Sequence, residues 1–265
     1  MEVFGYITSI LIGISLGLIG GGGSILTLPV LVYLFGIDAF LATEYSLFIV
    51  GVSSVIGSIS YFRKGFVNFK IVLLFGIPSI ISIFLTRKYI LPLIPDEIVR
   101  FSSLVITKDI FLLLIFAGLM ILASYKMIQK STELHMEKCI STRRNTLLIA
   151  GDGSVVGILT GLVGAGGGFM IIPALVNLFK TPMKVAIGTS LVIISLNSLI
   201  GFFSTMNNMN IDWKLLTSIS FIAIIGIIIG AQISKRIDGR KLKPIFGWFV
   251  LGMGIYIIVR ELFLK

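Results

Sequence analysis

Charge is scarce in this chain of 265 residues, at 13 % of positions. A soluble domain carries roughly 25 % charged residues, so there is too little here to cover a water-facing surface. No polar stretch is long enough for a separate soluble domain, the longest running roughly from Lys126 to Asn145. The single cysteine, Cys139, excludes an intramolecular disulfide and reads as an incidental thiol in that charged stretch. The single histidine, His135, lies there too and reads as solvated. With one histidine there is no His pair and no HExxH, with one cysteine no cysteine cluster, and no Ser-His-Asp set can be assembled. No Gly-Lys-Ser/Thr follows any glycine run, and the runs follow apolar stretches of helix length rather than a short strand, which speaks against a nucleotide fingerprint. No enzyme activity, cofactor or metal is therefore expected. The N-terminus has Glu2 and no basic segment, and its apolar run continues past residue 30, which argues against a cleaved signal peptide.

Apolar residues fill 56 % of the chain. They fall into runs of roughly 4–35, 39–62, 67–86, 104–125, 146–179, 182–205, 212–234 and 243–263. Six have the length of a membrane-crossing helix, about 20 residues. The first and fifth exceed 30 residues, more than a ~30 Å hydrocarbon layer requires. The net charge of +10 would suggest nucleic acid on a soluble protein. Here the basic residues sit between apolar runs, as membrane loops do, so the lipid bilayer rather than nucleic acid is the expected surroundings.

Both overlong runs are broken by glycine at matching places. The first reads Gly17-Leu18-Ile19-Gly20-Gly21-Gly22-Gly23-Ser24, with Pro29 five residues on. The second reads Gly161-Leu162-Val163-Gly164-Ala165-Gly166-Gly167-Gly168, with Pro173 five residues on. Pairing each position with the one 144 residues later, from Gly17 to Ser60, gives 18 identities in 44 pairs without a gap. They include Pro29/Pro173, Ser46/Ser190, Ser54/Ser198, Gly57/Gly201 and Ser60/Ser204. Apolar bias would match many Leu, Ile and Val positions by chance, but not the glycines, the proline and the serines together. The chain is therefore read as a duplication: a first transmembrane repeat over 1–125, a basic cytoplasmic linker over 126–145, and a second repeat over 146–265.

Loop charge bears on whether the overlong runs cross the membrane. If all eight runs span, lysines and arginines divide equally, 11 on each face. If the first and fifth are re-entrant, they divide 15 to 7, as the positive-inside rule asks. That arrangement leaves three spans per half, an odd number, so the halves form inverted repeats. It puts loops 62–70, 126–145 and 235–243 in the cytoplasm. The expected fold is an all-α polytopic membrane protein whose halves each hold a glycine-broken helix and three transmembrane helices.

A glycine-broken segment in corresponding places of two halves is the sequence mark of a transporter's binding site. Gly20, Gly21, Gly22, Gly23 and Ser24, with Gly164, Gly166, Gly167 and Gly168, form the candidate site. A helix restarting after such a break offers free N–H groups and the positive end of its dipole, which suits a small anion. Ser24 stands where an N-cap hydroxyl would. Close glycine packing between helices is the competing explanation. The segment after each break is polar without charge. Ser46, Ser53 and Ser60 recur every seven residues on one helical face, and Ser190, Asn197 and Ser204 do the same, with Thr189 beside them. Such groups can replace hydration around an oxyanion, or bond between helices. Glu44 and Asp152 lie just inside apolar runs and are candidates for proton or ion coupling, with interfacial anchoring as the alternative. Asp109 begins another run beside Lys108. No Lys or Arg falls in mid-span.

These features resemble the TauE/SafE sulfite-exporter family of membrane permeases. The resemblance is carried by the breaks followed by proline (Gly20 to Pro29, Gly164 to Pro173), by Ala186-Ile187-Gly188-Thr189-Ser190-Leu191 and by Ile211-Asp212-Trp213. It covers nearly the whole chain. It implies an inner-membrane, multi-pass carrier for small sulfur-containing anions such as sulfite, thiosulfate or organosulfonates. The exact anion, the direction of flux and the oligomeric state do not follow from it. The first half departs from the pattern, with Thr43-Glu44-Tyr45-Ser46 against Gly188-Thr189-Ser190 in the second, which sets Glu44 apart. The alternatives to a carrier are a passive small-anion channel and a non-transporting structural membrane protein.

Overall fold

Glycine and proline cut the two overlong runs into helical pairs. A computed structural model of the chain describes residues 2–95, 97–101, 104–128, 146–164, 166–179, 181–206, 211–233 and 239–263. The first run becomes α1 (Glu2–Ile19), a 3-10 turn over Gly21–Gly23, and α2 (Ser24–Tyr33). The fifth becomes α6 (Thr146–Val163) and α7 (Gly168–Leu178). Between them lie α3 (Ala39–Phe62), α4 (Phe69–Leu93) and α5 (Lys108–Ile128). The second half ends with α8 (Met183–Thr205), α9 (Trp213–Ile233) and α10 (Gly239–Phe263). Among the described residues each half thus has five helices. A short antiparallel hairpin, β1 (Glu97–Phe101) with β2 (Leu104–Thr107), joins α4 to α5.

At each break the chain doubles back. A Cβ placed on Gly23 would meet Ser15 at 2.5 Å and the Ile12 carbonyl at 2.6 Å. In one continuous helix positions 16 and 23 would stand about 10 Å apart along the axis, yet Gly23 also lies on the backbone of Leu16. At the other end of the pair the Phe35 ring covers Gly5, its nearest atom 2.5 Å from where a Cβ would be. So α1 and α2 run antiparallel. Gly167 folds onto Thr160 in the same way, and positions 160 and 167 are the equivalents of 16 and 23.

The packing repeats as the sequence does. Helix α1 lies on α9 and α6 lies on α4, each the counterpart of the other, while α3 pairs with α8 and α5 with α10. These contacts map onto themselves when the halves are exchanged, as a pseudo-two-fold requires. The α1–α9 and α4–α6 contacts are made through glycine. Gly13 and Gly17 meet the backbone of Ala223, Ile227 and Ala231, and Gly157 meets that of Ser79. Four-residue glycine spacing lets helix backbones approach closely in lipid.

Five of the described helices are long and apolar enough to cross a bilayer: Ala39–Phe62, Phe69–Leu93, Lys108–Tyr125, Met183–Thr205 and Trp213–Ile233. Their outward faces carry large apolar side chains such as Leu73, Leu122 and Phe221, while serines and threonines are buried within. That is a polytopic all-α membrane protein. Helix α4 departs from the sequence reading, which ended its run at residue 86. It continues to Leu93 through two π turns, Val72–Gly76 and Thr86–Ile90. Each precedes a proline, Pro78 or Pro92. A proline has no N–H for the carbonyl one turn back, so the ladder widens there instead of ending. The linker from residue 129 to 145, with His135 and Cys139, lies outside the described residues.

Candidate functional site

The two breaks meet at the centre of the fold. Gly20 and Gly164, equivalent in the repeat, have φ of +76° and +72°, a region that any side chain would strain. Gly20 faces α8, where a Cβ would lie 3.1 Å from both Ile187 and Ser190 Oγ. Gly164 faces Thr43 on α3, the equivalent of Ile187. Gly21 and Gly168 touch backbone to backbone, with no room for a Cβ on either. Gly166 sits between α3 and α8, its absent Cβ 2.9 Å from Val50, 3.4 Å from Ile194 and 2.7 Å from Ser198 Oγ. Val50 and Ile194 are themselves equivalents. The glycines at 164, 166 and 167 all have positive φ, unlike Gly13, Gly17, Gly226 and Gly230, which bring helix backbones together.

Ser24 does not cap α2. Gly23 holds the cap position, and the Ser24 hydroxyl donates to the Gly21 carbonyl at 2.7 Å. That bond shapes the turn and leaves no side chain on the first N–H groups of α2. On α7 the cap is Gly167, again without a side chain.

The expected hydroxyl faces divide into two groups. Ser46 and Ser53 are buried with no hydrogen-bond partner, as are Ser54, Ser198, Thr160 Oγ1 and the Asn197 Oδ1 atom. The Asn197 amide donates to Ser79 Oγ at 2.8 Å and so has a structural bond as well. Ser190 donates to the Ile187 carbonyl and Ser204 to that of Gly201. Thr189 is drawn elsewhere: its hydroxyl accepts from the Asn68 N–H at 3.0 Å and holds the loop before α4. A buried hydroxyl with no partner costs about 1–3 kcal/mol. Two of them, Ser198 against Gly166 and Thr160 against Gly167, stand at the second break and leave hydrogen-bonding capacity for a ligand there.

Glu44 is not an interfacial anchor. It is 1 % exposed on α3, paired through Oε1 with Nη1 of Arg87 and accepting at Oε2 from the Thr205 hydroxyl at 2.8 Å. Arg87 is 0 % exposed and lies within α4, which corrects its assignment to the loop over 86–108. Hydropathy misplaced Arg87 because Thr86-Arg87-Lys88 looks like the end of an apolar run. Two signals would have found it. Its repeat equivalent, Ala231, falls inside the run 212–234, and a carboxylate within an apolar helix requires a partner. Asp152 is half-buried on α6, about 16 Å by helical rise from the break after Val163, so the structure does not bring it to the glycines. Asp109 accepts from the Phe40 N–H at the start of α3. Among the described residues no cluster of His, Cys, Asp and Glu could hold a metal ion.

The sulfite exporter TauE/SafE family matches residues 6–257 of the chain. A probable membrane transporter protein of Xylella fastidiosa (strain 9a5c) is 29 % identical over 255 residues, covering 95 % of this chain and 92 % of its own. The probable membrane transporter protein YunE of Bacillus subtilis (strain 168) is 26 % identical over 264 residues, covering 93 % of each. One from Methanocaldococcus jannaschii is 36 % identical over 110 residues, 39 % of this chain and 41 % of its own. No solved structure matches. With crossing helices, two abutting glycine breaks and this match over nearly its whole length, the chain belongs to the TauE/SafE sulfite exporter family and is a membrane transporter.

Proposed function

We propose that the protein is a secondary carrier for small sulfur-containing anions such as sulfite, thiosulfate or organosulfonates. The observation that carries this reading is the meeting of two side-chain-free breaks among buried hydroxyls that have no partner in the protein. The anion is held by backbone N–H groups after Gly20–Gly23 and Gly164–Gly168 and by Ser46, Ser53, Ser190 and Asn197. Ser24 shapes the first break, and Thr189 braces the loop before α4.

The helix hairpins α1–α2 and α6–α7 support the re-entrant arrangement, with three crossings per half and inverted repeats. Leaving out Arg87, which is buried against Glu44 rather than at a membrane face, changes the division of lysine and arginine from 15 and 7 to 15 and 6. The bias toward a cytoplasmic placement of loops 62–70, 126–145 and 235–243 is thereby strengthened. The two repeats and their basic linker follow, in the inner membrane. Glu44, paired with the Arg87 that meets Gly164, is the stronger candidate for coupling transport to a proton or ion; Asp152 is remote from the breaks and the weaker one.

Flux into liposomes tests the reading. Saturable sulfite uptake that thiosulfate and an organosulfonate inhibit and chloride does not is the expected result. Currents that never saturate would mean a channel, and absence of flux for every anion a structural protein.

A further inference from the structure

We propose that the guanidinium of Arg87 is the cationic half of the oxyanion site, and that Glu44 occupies it as an internal stand-in for the transported anion. The inference deepens the carrier reading and rests on it.

The geometry of one side chain carries it. Arg87 is fully buried, and its only bonded nitrogen is Nη1, which Glu44 takes. Nε and Nη2 are buried and have no partner. Those two nitrogens form one edge of the planar guanidinium, with two parallel N–H bonds. It is this edge that grips both oxygens of a carboxylate, sulfonate or similar oxyanion. Glu44 therefore holds the end of the fork and leaves its two-pronged side unused.

The unused side faces the second break. Nη2 lies 2.8 Å from where a Cβ on Gly164 would stand, at the positive-φ residue that opens the break. Any side chain at 164 would take that space. Thr86 Oγ1, the preceding residue, is a second buried hydroxyl without a partner. Both stand in the π turn Thr86–Ile90, a widened helical turn of the kind found at functional sites. Sequence distance had separated these groups from the breaks, and helix packing joins them.

Charge gives the arrangement its logic. A buried guanidinium without a counter-charge is far too costly to persist, so the site must hold an anion whether or not substrate is there. Glu44 meets that need in the empty site, its Oε2 steadied by Thr205. An oxyanion reaching the free edge competes with the carboxylate for one positive charge. Binding substrate and loosening the α3–α4 ion pair then become the same event, which links occupancy to movement of two transmembrane helices.

The test uses the purified full-length protein in lipid nanodiscs, with sulfite binding read by calorimetry and folding by thermal unfolding. Glu44→Gln removes the internal competitor, and sulfite should bind about tenfold more tightly. Arg87→Lys keeps the charge but loses the paired edge, and affinity should fall about tenfold or more. The double variant E44Q/R87Q leaves no unpaired charge, so it should fold and bind no sulfite. A folded E44Q/R87Q protein that binds sulfite as the parent does would overturn the assignment and leave the carrier reading standing, as would parental affinity in both single variants. A parent protein that binds none of sulfite, thiosulfate or methanesulfonate would overturn the assignment and the substrate reading together.

Discussion

Positions 87 on α4 and 231 on α9 are equivalent in the repeat and hold opposite contents. Up to that level the two helices match closely. Ile83 packs on Gly201, and its equivalent Ile227 packs on Gly57. Beyond it, Arg87 runs past Gly201, its Cδ 3.5 Å from where a Cβ would stand, and reaches Glu44 and Thr205. The repeat equivalents of these three residues are Ala231, Gly188 and Tyr61. There the short alanine leaves a cavity of about 140 Å³ lined by Ile56, Gly57, Ser60, Ile227, Ile228, Ala231 and Gln232. Tyr61 bonds to the Gly17 carbonyl instead. The two halves share the scaffold, with its hairpins, breaks and glycine contacts. At these three pairs of positions charge stands only at Glu44 and Arg87. A near-symmetric frame therefore houses a one-sided polar centre.

The comparison can be broken at several points. The largest effect is expected from Arg87→Ala, which strands Glu44 without its counter-charge; about 3–5 kcal/mol of stability should be lost, seen as a lower unfolding temperature in detergent. Next come Gly164→Val and Gly167→Val. Left-handed backbone costs a side chain roughly 1–2 kcal/mol, and Thr43 and Thr160 occupy the added volume. Transport should vanish in both while membrane insertion, measured by fractionation, persists. Normal flux in both would remove the breaks from the site.

Smaller effects sharpen the division between binding and bracing hydroxyls. Ser53→Ala removes a hydroxyl with no partner, so it should leave thermal stability unchanged or slightly raised and weaken sulfite binding about fivefold. Ser79→Ala, in contrast, orphans the Asn197 amide and should cost about 1–3 kcal/mol. The smallest effect belongs to Ala231→Leu. It fills the cavity opposite Arg87 and should shift stability by less than about 1.5 kcal/mol with sulfite flux unchanged. A loss of transport there would mean that both halves contribute such a site.

Much of this plan was legible in the sequence because it is written in residues that apolar bias does not supply. Glycines 20 and 164, prolines 29 and 173 and serines 46 and 190 align at one offset, and each marks a backbone or hydrogen-bonding need. The spans over 39–62, 182–205 and 212–234 differ from α3, α8 and α9 by no more than a residue at either end. What failed to show was the end of α4. Hydropathy averages over a window, so Thr86-Arg87-Lys88 reads as a loop, although a π turn carries the helix through it. Burial of Arg87 depends on Glu44, 43 positions earlier, and on Thr205 in the other half. No local pattern holds that information. Thr189 is a similar case: its neighbours suggested the site, while its hydroxyl serves the Asn68 loop.

The measurement that bears most directly on the carrier reading is sulfite flux into liposomes holding the purified protein, with thiosulfate, an organosulfonate and chloride as competitors. The expected result is uptake that saturates with sulfite and falls with the sulfur anions but not with chloride. No uptake of any of these anions, under either a proton gradient or a membrane potential, would contradict it.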